Sequence, residues 1–392
     1  MHFLCLRILA SVRRLLFLVS AIIFVDALLF TALTPLVPAY AEEFGLSKTG
    51  AGFLVGAYGA GALLGGIPGG LAAARFGPKR AVVAGLVLLA VASFAFAGAD
   101  SALALGGARF VQGIASTATW AGALAWLSVT APRERRGEVI GTAFGAAIFG
   151  AILGPVFGAF AELIGIEAAF LVVGLVTLVF AGFASLARSA APETVSLAGL
   201  GRALRDQRFL GGLWLNMLPA MLFGLLIVLA PLAFDDAGWS EFGIAAVFFS
   251  AGLVEVVLNP LLGRFTDRAG RLMPVRAALA ASVVVAIALG ASQEALVMAL
   301  LVCGASISFG SLYTPGMSLT SHRAESAGLA QGLAFGVMNT AWALGEVVGP
   351  TAGGALAETY GDAAPYLIGA ALCAATLAAT YRVTGRMRPR AA

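Results

Sequence analysis

Residues 42–53 read EEFGLSKTGAGF and residues 235–246 read DDAGWSEFGIAA. Gly45 falls on Gly238, Ser47 on Ser240 and Gly50 on Gly243, each at an offset of 193. Residues 70–80, GLAAARFGPKR, fall on 263–273, GRFTDRAGRLM, at that same offset, while Pro155 meets Pro350 at 195 and Pro35 meets Pro231 at 196. A near-constant offset across landmarks is what one structural unit written twice produces. Chance matching of glycines, of which there are 50, is the competing reading. The matched loops count against it. The expected organisation is therefore a unit over 1–187, a polar linker over 188–208 and a second unit over 209–392.

Composition says what the units are made of. Hydrophobic residues make up 60% of the 392 and charged residues 11%, with a mean hydropathy of +0.97. A soluble domain carries about 25% charge, so the chain is built for lipid. A membrane helix takes about 20 apolar residues. Twelve spans fit, near 15–39, 50–73, 81–99, 102–130, 138–161, 166–187, 209–233, 241–263, 276–292, 295–320, 328–354 and 363–383. The expected fold is an all-α membrane protein with twelve transmembrane helices in two pseudo-symmetric six-helix bundles around a central cavity. Glycine, costly in soluble helices, lets membrane helices approach closely.

The formal charge of +4 is a topology signal. Of the 24 lysines and arginines, all but Lys48 and Arg109 fall in the termini and alternate loops of one side. The positive-inside rule puts that side, with both termini, in the cytoplasm. No nucleic-acid partner is expected. The stretch from Leu15 to Tyr40 is longer than a signal-peptide core and reads as a permanent first helix. In the linker, Leu197, Leu200 and Leu204 alternate with Arg202, Arg205 and Arg208, which suits a short amphipathic helix on the cytoplasmic face. Cys5, Cys303 and Cys373 show no disulfide or metal spacing. There is no phosphate loop, no dinucleotide fingerprint and no zinc-protease motif. Neither an enzyme nor a cofactor or metal site is expected.

Paired six-helix halves joined by a cytoplasmic linker are a layout of secondary transporters. GRFTDRAGR (263–271) resembles the signature loop of the major facilitator superfamily through Gly263, Asp267, Arg268, Gly270 and Arg271. RFVQG (109–113) resembles its fourth-helix motif in proton-coupled members, and GAILGPVFG (150–158), with Gly154 and Pro155, its fifth-helix antiporter motif. VDALLFTALTPLVPAY in the first helix resembles the twelve-helix drug/proton antiporters, vesicular-amine-transporter-like members included. The first-half loop keeps Gly70, Arg75 and Gly77 but has Ala74 where the family's aspartate stands. The resemblance implies a cytoplasmic gate held in the first half by Arg75, Lys79 and helix packing alone.

Four ionisable residues remain inside the spans: Asp26, Arg109, Glu255 and Glu346. A charge at a helix centre costs about 2.5–3.5 kcal/mol, so these groups must face a cavity, pair or carry a proton. Asp26 lies eleven residues past Leu15, about 16 Å deep at 1.5 Å per residue, where such folds bind substrate. Arg109 cannot shed its proton, and Asp26 is its expected partner, either as a proton switch or as a static ion pair. Glu255 shares a helix face with Asn259 and reads either as a cavity acid or as an interhelical hydrogen-bonder. Glu346 stands in GEVVGPTAGG (345–354), where Gly349 and Pro350 repeat the frame of Gly154 and Pro155, but the matching residue there is Ala151. The frame serves packing and the acid is an addition, either as a proton site or as a neutral gate residue. Softer cavity candidates are Asn216, Asn339, Trp120, Trp342, Tyr58 and Tyr313, together with Trp126 and Trp214. Aromatic rings can hold a cation by its attraction to the ring face, although packing alone also explains them.

The first functional expectation is proton-coupled efflux, by antiport and alternating access, of small lipophilic or cationic compounds. Its partners are the substrate, protons and the lipid bilayer, and the chain works as a monomer. The alternative is a proton-coupled or facilitated permease for a sugar, amino acid or organic anion; a single intramembrane arginine argues against an anion. A membrane sensor, scaffold or enzyme is the third class, and the absence of a soluble domain or catalytic cluster weighs against it. The arginine-rich, alanine-rich composition points to a bacterial cytoplasmic membrane.

Overall fold

The computed structural model describes residues 2–132, 135–189, 197–269, 272–329 and 331–386. The first half holds α1 (His2–Ala32), a 3₁₀ turn (Thr34–Leu36), α2 (Val37–Glu43), α3 (Lys48–Phe76), α4 (Pro78–Ala97), α5 (Ala102–Thr130), α6 (Arg136–Ile164) and α7 (Ile166–Leu186). After α8 (Leu197–Ala203) in the linker, the second half holds α9 (Gln207–Asp236), α10 (Glu241–Ala269), α11 (Leu272–Ala291), α12 (Ala295–Gly310), α13 (Tyr313–Ser326), α14 (Gln331–Tyr360) and α15 (Ala363–Arg386). Among the described residues there is no strand. With α1 and α2 taken as one broken rod and α12 and α13 as another, these elements make twelve rods. Nine are long and apolar enough to cross a membrane among the described residues. The other three, α5, α10 and α14, run 29, 29 and 30 residues, ample for a core of about 30 Å.

The repeated turn has a physical basis in both halves. Gly45 and Gly238 take the left-handed φ values of 60° and 79° that favour glycine. The next amide reaches back over the helix end, from Leu46 to the Ala41 carbonyl and from Trp239 to the Phe234 carbonyl, which is the Schellman closure. Ser47 and Ser240 then accept from the amides of Gly50 and Gly243, each at 3.3 Å, and start α3 and α10 as N-caps.

Helix pairing repeats as well. In the first half α1 packs on α6, α3 on α5, and α4 on both α5 and α7. In the second, α9 packs on α14, α10 on α12, and α11 on both α12 and α15. The halves meet along two seams, α3 against α14 and α6 against α10, which exchange under the same symmetry. Glycines make these approaches possible. A side chain on Gly150 or Gly158 of α6 would strike the Phe24 or Ala32 carbonyl of α1, and one on Gly345 or Gly349 of α14 would strike the Met217 or Met221 carbonyl of α9. Hydrocarbon offers no hydrophobic drive between helices, so close van der Waals contact of this kind holds them together.

With the arginine-rich ends taken as inner, the outer ends of the halves are in contact: the 3₁₀ turn and α2 touch α9, and the turn also touches α10. Among the described residues no packed face joins the inner ends of α5 and α13. Two expected spans differ in form. The first is broken at Thr34–Leu36, where Pro35 and Pro38 withhold amides, and the tenth is broken at Ser311–Leu312 and runs on to Ser326. The linker helix is shorter than the polar stretch, and Arg202 docks it on the second half by donating to the Ala327 carbonyl at 3.1 and 3.2 Å.

Candidate functional site

The break in the first rod creates the site's cation anchor. Helix α1 stops at Ala32, so its last carbonyls lose their intrahelical partners. Arg109 on α5 takes two of them, donating from one terminal nitrogen to Leu29 O and from the other to Phe30 O, both at 3.1 Å, and to Gln112 Oε1 at 3.2 Å. Its guanidinium carbon lies 4.8 Å from the Tyr58 ring centroid. The expected ion pair with Asp26 does not form. Carbonyl dipoles hold the guanidinium, and Asp26 lies within its electrostatic reach without contact.

Asp26 is held by uncharged donors. Ser116 Oγ donates to its Oδ2 at 2.6 Å and Trp120 Nε1 donates to the same oxygen at 2.7 Å, while Oδ1 is buried with no hydrogen-bond partner. Arg109, Gln112, Ser116 and Trp120 recur at i, i+3, i+7 and i+11, one face of α5. Sequence reasoning missed Gln112 and Ser116, and that spacing from Arg109 was the available signal.

Glu346 enters from the other half. Its main chain lies against Gly59, where a side chain would meet the Glu346 Cβ at 2.9 Å. This brings the acid beside the helix that carries Tyr58 and within electrostatic reach of Arg109. An aromatic row crosses between the halves: Tyr58 to Phe30 at 4.9 Å and Phe30 to Trp342 at 5.4 Å. Asp26, Arg109 and Glu346 are 2%, 2% and 4% exposed. The site is thus two buried acids, one arginine and a row of rings.

Of the remaining candidates, Tyr313 lies beside Trp342 and within electrostatic reach of Glu346. Asn216 donates from Nδ2 to Met338 O at 3.0 Å with its Oδ1 buried and unpartnered, and Asn339 is half-buried one residue on. Tyr313 stacks on Phe223, with 6.3 Å between centroids. Glu255 sits against Gly310 of α12; Asn259 is on the same helix, with its side chain outside the described residues. Trp126 donates to Arg188 O at 3.1 Å and Trp214 to Thr376 Oγ1 at 2.9 Å.

Of the gating motifs, Gly77 takes φ 91° between α3 and α4 and Gly70 faces open space. Arg75 lies 5.8 Å from the Phe76 ring, and Lys79 donates to Ala187 O at 2.8 Å. Both of these contacts stay within the first half. Gly154 abuts Thr31, and Pro350 abuts Gly52 and Gly224. Gly263, Asp267 and Arg268 fall on α10 with side chains outside the described residues, and Gly270 and Arg271 lie outside the described residues altogether.

Known proteins share the fold. A bacterial homologue of the human lysosomal transporter Spinster, inward-facing and unoccupied, matches with a TM-score of 0.71 at 16% identity over 96% of this chain and 97% of that one. The human organic anion transporter MFSD10 matches at 0.72 and 18% over 94% and 99%. In sequence, multidrug resistance protein 2 of Bacillus subtilis is 24% identical over 85% of this chain and 86% of its own length. The quinolone resistance protein NorA of Staphylococcus aureus is 23% identical over 85% and 87%. The human synaptic vesicular amine transporter is 26% identical over 74% of this chain and 58% of its own length. These relatives are transporters and not enzymes. The family profile matches residues 19–335, and the chain, a multi-pass membrane transporter, belongs to the Major Facilitator Superfamily.

Proposed function

We propose that the protein exports small lipophilic cations in exchange for protons, by alternating access around the buried cluster. The observation that carries this reading is charge balance. Two acids, Asp26 and Glu346, are buried with one fixed cation, Arg109. One negative charge is left over, and an uncompensated charge in the membrane is expensive. A proton or a cationic substrate removes the deficit, and binding one makes the other redundant, which is the logic of antiport. Tyr58, Phe30, Trp120 and Trp342 supply ring faces for the cation. Ser116 and Trp120 leave the second oxygen of Asp26 available to either. The resistance proteins and the amine transporter among the relatives support this substrate class. The same reading places a monomer in a bacterial cytoplasmic membrane with both termini inside.

The test uses protein in liposomes with an imposed pH gradient and lumenal pH as the readout. A lipophilic cation dissipates the gradient in the wild type. Asp26→Asn and Glu346→Gln each slow this by about tenfold or more, a barrier change of about 1.4 kcal/mol, with thermal unfolding little changed. Equal, gradient-independent solute flux in wild type and both variants would mean a facilitator and would sink the proposal.

A further inference from the structure

The outer ends of the two seams carry opposite electrostatics. At the outer end of α3, Lys48 Nζ reaches both carboxylate oxygens of Asp362, at 2.5 and 2.7 Å, across the boundary between the halves. The next residue, Thr49, donates its amide to Glu358 Oε2 at 3.0 Å. That amide is one of the unpaired first-turn donors of α3, and an acid there also meets the positive end of the helix dipole. Both acids come from the second half, at the end of α14 and the turn after it. A side chain at Gly354 would strike the Lys48 carbonyl, so glycine lets the two backbones meet where the charges do. Among the described residues the symmetry-related seam shows nothing of this kind. The offset of 193 places Glu241 where Lys48 stands. Glu241 begins α10, and Phe242 beside it meets Phe160 of α6 at 5.5 Å between centroids. Glu162, two residues after Phe160, lies within electrostatic reach of Glu241 and Glu43. One seam ends in a cation between acids and the other in acids alone.

We propose that Lys48, Asp362 and Glu358 form a latch that holds the outer side of the transporter closed, so that opening to the outside begins by parting α3 from α14 at this point. The inference rests on the alternating-access part of the proposed function and is independent of proton coupling. Both residues of the pair are partly exposed, at 34% and 55% of their side chains. The latch is accordingly a bias of populations and not a lock.

The test reads outer opening directly. Cys5, Cys303 and Cys373 are replaced by serine, and spin labels are placed at Ser101 and Gln293, symmetry-related outer loops of the two halves. Pulsed electron-electron distances are recorded on full-length protein in lipid without a pH gradient, so the outcome does not depend on proton coupling. Lys48→Ala raises the long-distance population about two- to fivefold, the range of an exposed ion pair. Lys48→Arg keeps the wild-type distribution, and 1 M salt, at which screening reaches within about 3 Å, opens the wild type but not Lys48→Ala. An unchanged distribution in Lys48→Ala, or equal opening in the Ala and Arg variants, overturns the latch.

Discussion

Helices α6 and α14 carry the same glycine–proline frame and spend it differently. Each proline withholds an amide and frees the carbonyl four residues earlier. In α6 the freed carbonyl is that of Ala151, and Thr31 Oγ1 of α1 donates to it at 2.8 Å. In α14 it is that of Glu346, which lies against Gly59 of α3. One frame is completed inside its own half; the other is turned towards the opposite half and carries an acid there. Symmetry accounts for the shared packing, and the departure from it is the acid.

The shared part of the comparison breaks with the largest effect. Gly150→Leu and its symmetry mate Gly345→Leu each drive a side chain into a backbone carbonyl, that of Phe24 between α1 and α6 and that of Met217 between α9 and α14. Backbone cannot move aside as a side chain does, so each change is expected to cost about 3 kcal/mol, the upper end of overpacking. Thermal unfolding in detergent should show nearly equal losses. A large loss at one position beside a negligible one at the other would show that the two frames are not equivalent in packing.

The private part of the comparison gives a smaller effect. Thr31→Val keeps the shape of the side chain and removes the donor to Ala151 O. An unpaired carbonyl in hydrocarbon should cost about 1 kcal/mol, because membrane hydrogen bonds measure low and the unfolded reference finds other partners. Thr31→Ser should recover most of the loss in the same unfolding experiment. A Val variant as stable as wild type would mean that the proline-freed carbonyl needs no partner in either frame.

These contrasts also show what sequence could supply. The two-fold layout was legible because its markers are local: a glycine with positive φ and a serine N-cap recur with their neighbours at a fixed offset. Glu346 was legible as an exception for the same reason. The pairing of Arg109 was not, because side-chain charge was matched to side-chain charge in an unbroken first helix. Once Pro35 and Pro38 break that rod, the carbonyls of Leu29 and Phe30 compete for the guanidinium, and backbone acceptors carry no letter in the sequence. Ser116 and Gln112 were passed over although they share the face of Arg109, since small polar residues are common in membrane seams. Trp126 and Trp214 could not be told from Trp120, because which face of a helix looks inward is decided by its neighbours.

The smallest effect sharpens the comparison at the outer rim. If the seams differ chiefly by the residue at one symmetry-related position, Glu241→Lys should make the second resemble the first. The new ammonium would lie near Glu162 and Glu43, which stand within electrostatic reach of one another. It would replace repulsion by attraction while leaving the Phe160–Phe242 contact in place. The gain is bounded by exposure, at under about 1 kcal/mol, or less than about fivefold in population. The labels at Ser101 and Gln293 should report fewer open molecules in Glu241→Lys than in the wild type, and Glu241→Lys combined with Lys48→Ala should fall between Lys48→Ala alone and the wild type. More open molecules in Glu241→Lys would mean that the acids at this seam are neutralised in the closed state, so that attraction was already present there before the substitution.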